Sequence, residues 1–163
     1  MAYFPMFVSL DRKPCLIVGG GRVAARKCRG LLAFGADVTV VAETFPSALE
    51  TAGRVQTIRR RYRDADITAR DWTLVIAATN ERAVNGRIAD VCRSRGIPVN
   101  VADCPEECTF YFPAYCVTDN VAAGISSSGF SPALSAALRR RLEKALPEWI
   151  NTVRKEEGGN GQG

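Results

Sequence analysis

The residues best suited to chemistry stand in four short runs of the chain. The first is Cys15-Leu16-Ile17-Val18-Gly19-Gly20-Gly21-Arg22-Val23-Ala24, a G-x-G-x-x-A pattern between an apolar run and a segment of helical spacing. Glycine suits such a loop because a pyrophosphate must approach the backbone with no Cβ in the way. The amides and dipole of the helix start then hold the phosphate. A plain turn joining two elements is the alternative reading, and the order strand, glycines, helix favours the dinucleotide. The second run, Ile76-Ala77-Ala78-Thr79-Asn80, ends another apolar segment. Its small Ala77 and Ala78 let a cofactor lie against the backbone, and Thr79 and Asn80 offer hydrogen bonds, although Asn80 equally suits a helix N-cap. The third, Val99-Asn100-Val101-Ala102-Asp103-Cys104-Pro105, sets a carboxylate at a strand end. Asp103 reads either as a proton acceptor beside a cofactor or as a turn-initiating residue. The fourth, Ser126-Ser127-Ser128-Gly129-Phe130-Ser131-Pro132, precedes a helix, where it either holds an anionic group or simply caps.

Composition narrows the chemistry. The 163-residue chain has no histidine, which excludes Ser–His and Cys–His catalysis and histidine zinc sites. Proton work then falls to carboxylates, Lys, Tyr, Cys or the substrate. The 22 Lys+Arg outnumber 17 Asp+Glu, a net charge of +5 that favours an anionic partner. The clusters Arg59-Arg60-Arg61 and Arg139-Arg140-Arg141 read as solvated faces; with only Tyr62 interleaved, no nucleic-acid partner is expected. Cys15, Cys28, Cys92, Cys104, Cys108 and Cys116 read as reduced, mostly buried thiols, and no metal site is assigned. No run reaches the ~18 apolar residues of a membrane span. Residues 1–10, interrupted by Pro5, lack a signal peptide's basic region and cleavage pattern, so a cytoplasmic chain with no membrane partner is expected.

The elements that must position these groups follow from periodicity. Strands are expected at 7–10, 15–18, 37–41, 55–59, 74–77 and 97–101, and helices at 22–34, 45–52 and 82–95. This alternation predicts an α/β fold: a Rossmann-like parallel sheet with helices on both faces, spanning residues 1–108. Glu43 follows the second strand of the α/β unit near the ~20-residue spacing of a ribose-binding acid; a surface loop carboxylate is the equal alternative. No arginine directly follows that strand, which favours NAD over NADP. After residue 109 the rhythm changes to strands at 109–112, 115–118 and 121–125 with no helix between them, so they should be antiparallel. A helix from Pro132, capped by Ser131, should break at Pro147 and resume, completing a region at 109–157 before a flexible tail at 158–163.

These runs together resemble the precorrin-2 dehydrogenase/sirohydrochlorin ferrochelatase family, the NAD-binding part of siroheme synthase. The resemblance extends from Tyr3-Phe4-Pro5-Met6-Phe7 through the glycine loop, Val23-Ala24-x-Arg26-Lys27, Ala77-Ala78-Thr79-Asn80, Val99-Asn100-Val101-x-Asp103 and Thr109-Phe110-x-Phe112-Pro113-Ala114. It ends with Ile125-Ser126-Ser127-x-Gly129-x-Ser131-Pro132. It implies NAD-dependent oxidation of precorrin-2 to sirohydrochlorin on the route to siroheme, with insertion of ferrous iron as a second activity in bifunctional members. It further implies Asp103 as the catalytic base. Gly19, Gly21, Arg22 and Val23 would hold the pyrophosphate, Glu43 the ribose, and Ala78 and Thr79 the nicotinamide side. Asn100, Ser126 and Ser127 would line the cleft for the tetrapyrrole polycarboxylate, Ser127 matching a serine phosphorylated in some relatives. The antiparallel strands would build a homodimer. A non-catalytic NAD-sensing module is the competing class, and it would have no need of Asp103.

Overall fold

The computed structural model describes residues 4–46 and 53–159. The chain divides into a unit of residues 7–111 and a smaller one that includes residues 4–6 and 112–159. In the larger unit, short β-branched and aliphatic runs form β1 (Pro14–Val18), β2 (Asp37–Ala42), β3 (Val55–Arg59), β4 (Leu74–Ala77) and β5 (Val99–Val101). They pair in parallel in the order β3-β2-β1-β4-β5. The helices are α1 (Arg22–Ala33), α2 (Ala65–Thr68) and α3 (Arg82–Ser94). Gly35, at φ +79°, lies one residue beyond the Phe34 C-cap of α1.

Alternation along the strands splits the core into two layers. Leu16, Val18, Val41, Val75, Ala77, Val99 and Val101 pack with Ile67 of α2, Trp72, and Ile88, Ala89 and Cys92 of α3. Cys15, Ile17, Val40 and Ile76, one residue out of phase, are buried on the opposite side. There α1 turns Ala24, Lys27, Cys28 and Leu31 inward at i, i+3, i+4 and i+7. Helices thus cover both faces of a parallel sheet, as the sequence predicts.

Lys27 is the exception in that apolar stripe. Its Nζ donates to Asn100 Oδ1 at 2.7 Å, tying α1 to β5. Burial, helped by the neighbouring Arg26 charge, lowers its pKa from 10.5 to about 8. The unfolded chain therefore binds the extra proton between those values, and the cost of burying the ammonium disappears as pH rises from about 8 to 10.5. The buried thiols Cys15, Cys28 and Cys92, pushed up to about 12, 11 and 12, act in the opposite sense above pH 9. Those thiols are common to wild type and a Lys27→Met variant, so their contribution cancels in the difference between the two. Denaturant melts should show wild type gaining up to about 3 kcal/mol over K27M between neutral pH and pH ~10.5. A stability difference independent of pH would contradict the assignment.

Three features depart from expectation. Residues 7–10 form no strand: Phe7 and Val8 are exposed, and an apolar run becomes a strand only against a partner. Residues 109–112 are likewise not a strand. Thr109 N–H reaches Val99 C=O at 2.8 Å, and Val99 N–H donates to Thr109 Oγ1 at 2.8 Å, so Thr109 bonds back to β5. Pro113 then removes the amide that a continuing ladder would use. The four-residue helix α2 has no counterpart in the periodicity; it is fixed instead by Asp66, whose carboxylate takes Arg60 and the Arg63 N–H. Most of the helix expected at 45–52 lies outside the described residues.

The smaller unit contains β6 (Ala114–Thr118) and β7 (Val121–Ile125), an antiparallel pair with Asp119 at φ +51° in the turn. The third strand of the expected antiparallel set is the missing 109–112. Helix α4 (Pro132–Gly159) packs on β6 and starts as expected, with Ser131 Oγ accepting from Leu134 N–H at 3.1 Å. Pro147 does not break it. A proline deletes one amide and crowds one carbonyl, a local cost of about 3 kcal/mol, and the Thr152 hydroxyl donates to the Glu148 carbonyl just beyond it. The helix also runs through residues 158–159, where a flexible tail was expected; residues 160–163 lie outside the described residues.

Candidate functional site

The sheet order reverses beside β1, with β2 and β3 to one side and β4 and β5 to the other. In such sheets a crevice opens at the carboxyl ends of the two central strands. Three backbone bonds carry the ladder just past the strand ends. Gly19 N–H donates to Val41 C=O (2.9 Å), Ala78 N–H to Val18 C=O (2.8 Å) and Ala102 N–H to Ala77 C=O (2.9 Å). They align Gly19, Gly21, Ala78, Thr79 and Asp103 along one edge of the sheet.

The three glycines of the loop serve different ends. Gly19 has φ +120°, and a Cβ there would stand 2.1 Å from the Ala78 carbonyl oxygen; a Cβ on Gly20 would stand 1.8 Å from that of Thr44. Both are small so that the loop can wedge between its neighbours. Gly21, the N-cap of α1, has an extended conformation that any residue adopts, and a Cβ there would meet nothing within 4 Å. Its missing side chain leaves an open approach to a helix start that no side chain caps. Arg22 and Val23 begin that first turn, both exposed. Such an uncapped, open helix start fits a dinucleotide pyrophosphate.

Glu43 is exposed past β2, and its Oε1 accepts from Arg61 Nε at 3.2 Å. Arg61 escapes a linear reading because it follows β3. The pairing of Ala42 with Arg59 brings the two strand ends together. Arg59 itself lies over the Phe45 ring at 5.3 Å.

Thr79 is locked in place. Its hydroxyl donates to Asn85 Oδ1 at 2.7 Å and accepts from Glu81 N–H at 3.1 Å; Asn85 Nδ2 donates to the Thr79 carbonyl at 3.1 Å. Fully buried Asn85 was missed in the sequence, although it shares the inward stripe of α3 with Ile88, Ala89 and Cys92. Glu81, not Asn80, is the N-cap of α3.

Asp103, past β5, accepts Arg82 Nη1 at 2.8 Å on Oδ1, while Arg82 Nη2 binds Glu107. The hydrogen bond to Glu107 chiefly, with the Asp103 charge adding, holds the guanidinium in its charged form. Asn100 is buried: besides Lys27, it engages Phe110 C=O through Nδ2 at 3.0 Å. Ser126 and Ser127 lie in the smaller unit. Ser127 Oγ accepts from Ser131 N–H (3.0 Å) and donates to Ser131 C=O (2.9 Å), while Ser126 Oγ accepts from Ser128 N–H (3.1 Å). Among the described residues no cluster of three acidic or cysteine side chains gathers as for a metal ion.

A family model described as putative NAD(P)-binding matches residues 6–114, which holds the whole sheet and its glycine loop. The chain belongs to this NAD(P)-binding family. Its cofactor class agrees with the dinucleotide read from the glycine loop. Siroheme synthase of Methylococcus capsulatus is 43% identical over 154 residues, 94% of this chain and 32% of the relative. Siroheme synthase 1 of Aeromonas salmonicida is 39% identical over 162 residues, 98% of this chain and 34% of the relative. The chain thus spans about a third of the length of these relatives. Among solved structures, SirC, a precorrin-2 dehydrogenase, matches with a TM-score of 0.76 and 26% identity, over 87% of this chain and 70% of SirC.

Proposed function

We propose that the chain oxidises precorrin-2 to sirohydrochlorin with NAD as acceptor, a step of siroheme biosynthesis. The observation that carries the reading is the placement of Asp103 on the same sheet edge as a glycine loop shaped for pyrophosphate. The likeness to SirC and to siroheme synthases supports the substrate class. When bound, NAD supplies the acceptor for the hydride. The residues of the chain do the rest. The amides of the α1 first turn, with Arg22 and Val23 at its start, would hold the pyrophosphate. Glu43 would accept the ribose hydroxyls. Thr79, fixed by Asn85, would with Ala78 hold the nicotinamide side of the cofactor. Asp103 Oδ2 takes the proton that precorrin-2 loses along with its hydride, so that products and electrons balance. The net charge of +5 suits a polycarboxylate substrate.

The active form in this proposal is a cytoplasmic homodimer. A two-stranded sheet is marginal alone, and the smaller unit exposes Phe130, Leu134, Leu138, Trp149 and Val153 along with Val117 of β6. Six free thiols suit a reducing compartment, and no helix among the described residues is long and apolar enough to cross a membrane. Sedimentation should give twice the 17.7 kDa chain mass; a monomer at micromolar concentration would remove the dimer. The activity itself is tested by anaerobic incubation with precorrin-2. The macrocycle spectrum should change to that of sirohydrochlorin only when NAD is present, and an unchanged spectrum would refute the proposal.

A further inference from the structure

Arg82 stands at the first position of α3, and its guanidinium spans two carboxylates from the chain beyond β5: Asp103 Oδ1 at 2.8 Å and Glu107. All three side chains are partly exposed, between 28% and 46%. Exposed ion pairs of this kind add at most about 1 kcal/mol to a fold, so stability does not account for the arrangement. Room for it comes from Gly86, one turn further along α3, where a Cβ would stand 3.1 Å from Arg82 Nη2. A glycine inside a helix is itself unfavourable relative to alanine. The main-chain carbonyl of Glu107 accepts Arg93 Nη2 at 3.4 Å, a second contact from α3 to this turn. The guanidinium is planar and anchored at both ends, so it fixes the rotation of the Asp103 carboxylate. It occupies Oδ1 and leaves Oδ2, which has no hydrogen-bond partner among the described residues.

We infer that Arg82, braced by Glu107, is a positioning residue that aims Asp103 Oδ2 at the proton it accepts. This rests on the dehydrogenase reading above. A base misaimed by about an ångström or by a rotated carboxylate loses one to two orders of magnitude in rate without losing ligand affinity.

The experiment compares wild type, Arg82→Gln, Arg82→Lys, Asp103→Asn and the R82Q/D103N double variant in the anaerobic NADH assay, with NAD affinity and Tm measured alongside. R82Q should lower kcat about 10- to 100-fold, with the KM for precorrin-2 and the NAD Kd within about twofold of wild type. R82K, which keeps the charge but not the fork, should recover part of that loss. The double variant should be no slower than D103N, because a residue acting through Asp103 has nothing left to position. A wild-type kcat in R82Q, or losses that multiply in the double variant, would overturn the inference. R82K carries the same test should R82Q fold poorly: a wild-type kcat in R82K with the pairing geometry lost would count equally against it. Failure of the dehydrogenase reading looks different, since wild type itself would then form no NADH.

Discussion

Asp103→Asn should cut NADH formation from precorrin-2 by about 10²- to 10⁴-fold, the usual worth of a positioned general base. Asparagine keeps the shape of the side chain and can still face Arg82, but it cannot accept the proton. Because Asp103 is partly exposed and its ion pair lies at the surface, Tm should move little. NAD affinity should stay within about twofold, since the contacts proposed for the pyrophosphate and ribose lie on α1 and after β2. Calorimetry with NAD and a thermal melt, run beside the activity assay, separate the outcomes. A D103N protein that turns over at the wild-type rate would remove the catalytic assignment, and with it the main distinction from a non-catalytic NAD-sensing module.

The second large effect divides the glycine loop. Gly21→Ala should leave the fold intact, within about 0.5 kcal/mol, because its Cβ would meet no protein atom within 4 Å. The same methyl would stand in the proposed path of the pyrophosphate to the helix start. Losing one or two charge-assisted hydrogen bonds there should weaken NAD binding by about 10- to 100-fold. Gly19→Ala is the converse. Its φ of +120° and the 2.1 Å approach to the Ala78 carbonyl should destabilise the fold itself, by about 1–3 kcal/mol from strain alone. Equal loss of stability in G21A and G19A would contradict this division of roles.

The comparison of sequence with structure turns on what local pattern can carry. Strand, glycine and helix followed one another at 15–34 in the chain as in space, so the cofactor loop was legible without a fold. Asp103 was legible as a candidate because it ends a short apolar strand, the position where such sheets bind ligands. What locks these groups was not legible. Arg82 and Asp103 are far apart in sequence and meet only because α3 returns beside β5. Arg61 reaches Glu43 through the register of β2 and β3. Asn85 and Lys27 did leave a trace, as polar residues inside otherwise apolar helical stripes, and that pattern identifies buried polar anchors. The misread segments share a cause. Residues 7–10 and 109–112 have strand-like composition, but pairing depends on partners that composition does not supply.

The most direct test of the account is a count of hydrides. In a single anaerobic reaction of wild-type protein, NADH fluorescence and macrocycle absorbance are followed together after NAD is added to enzyme and precorrin-2. The account predicts that the two signals rise with one rate constant and that each sirohydrochlorin formed is matched by one NADH. Sirohydrochlorin appearing without NADH, or NAD binding with neither signal changing, would contradict it.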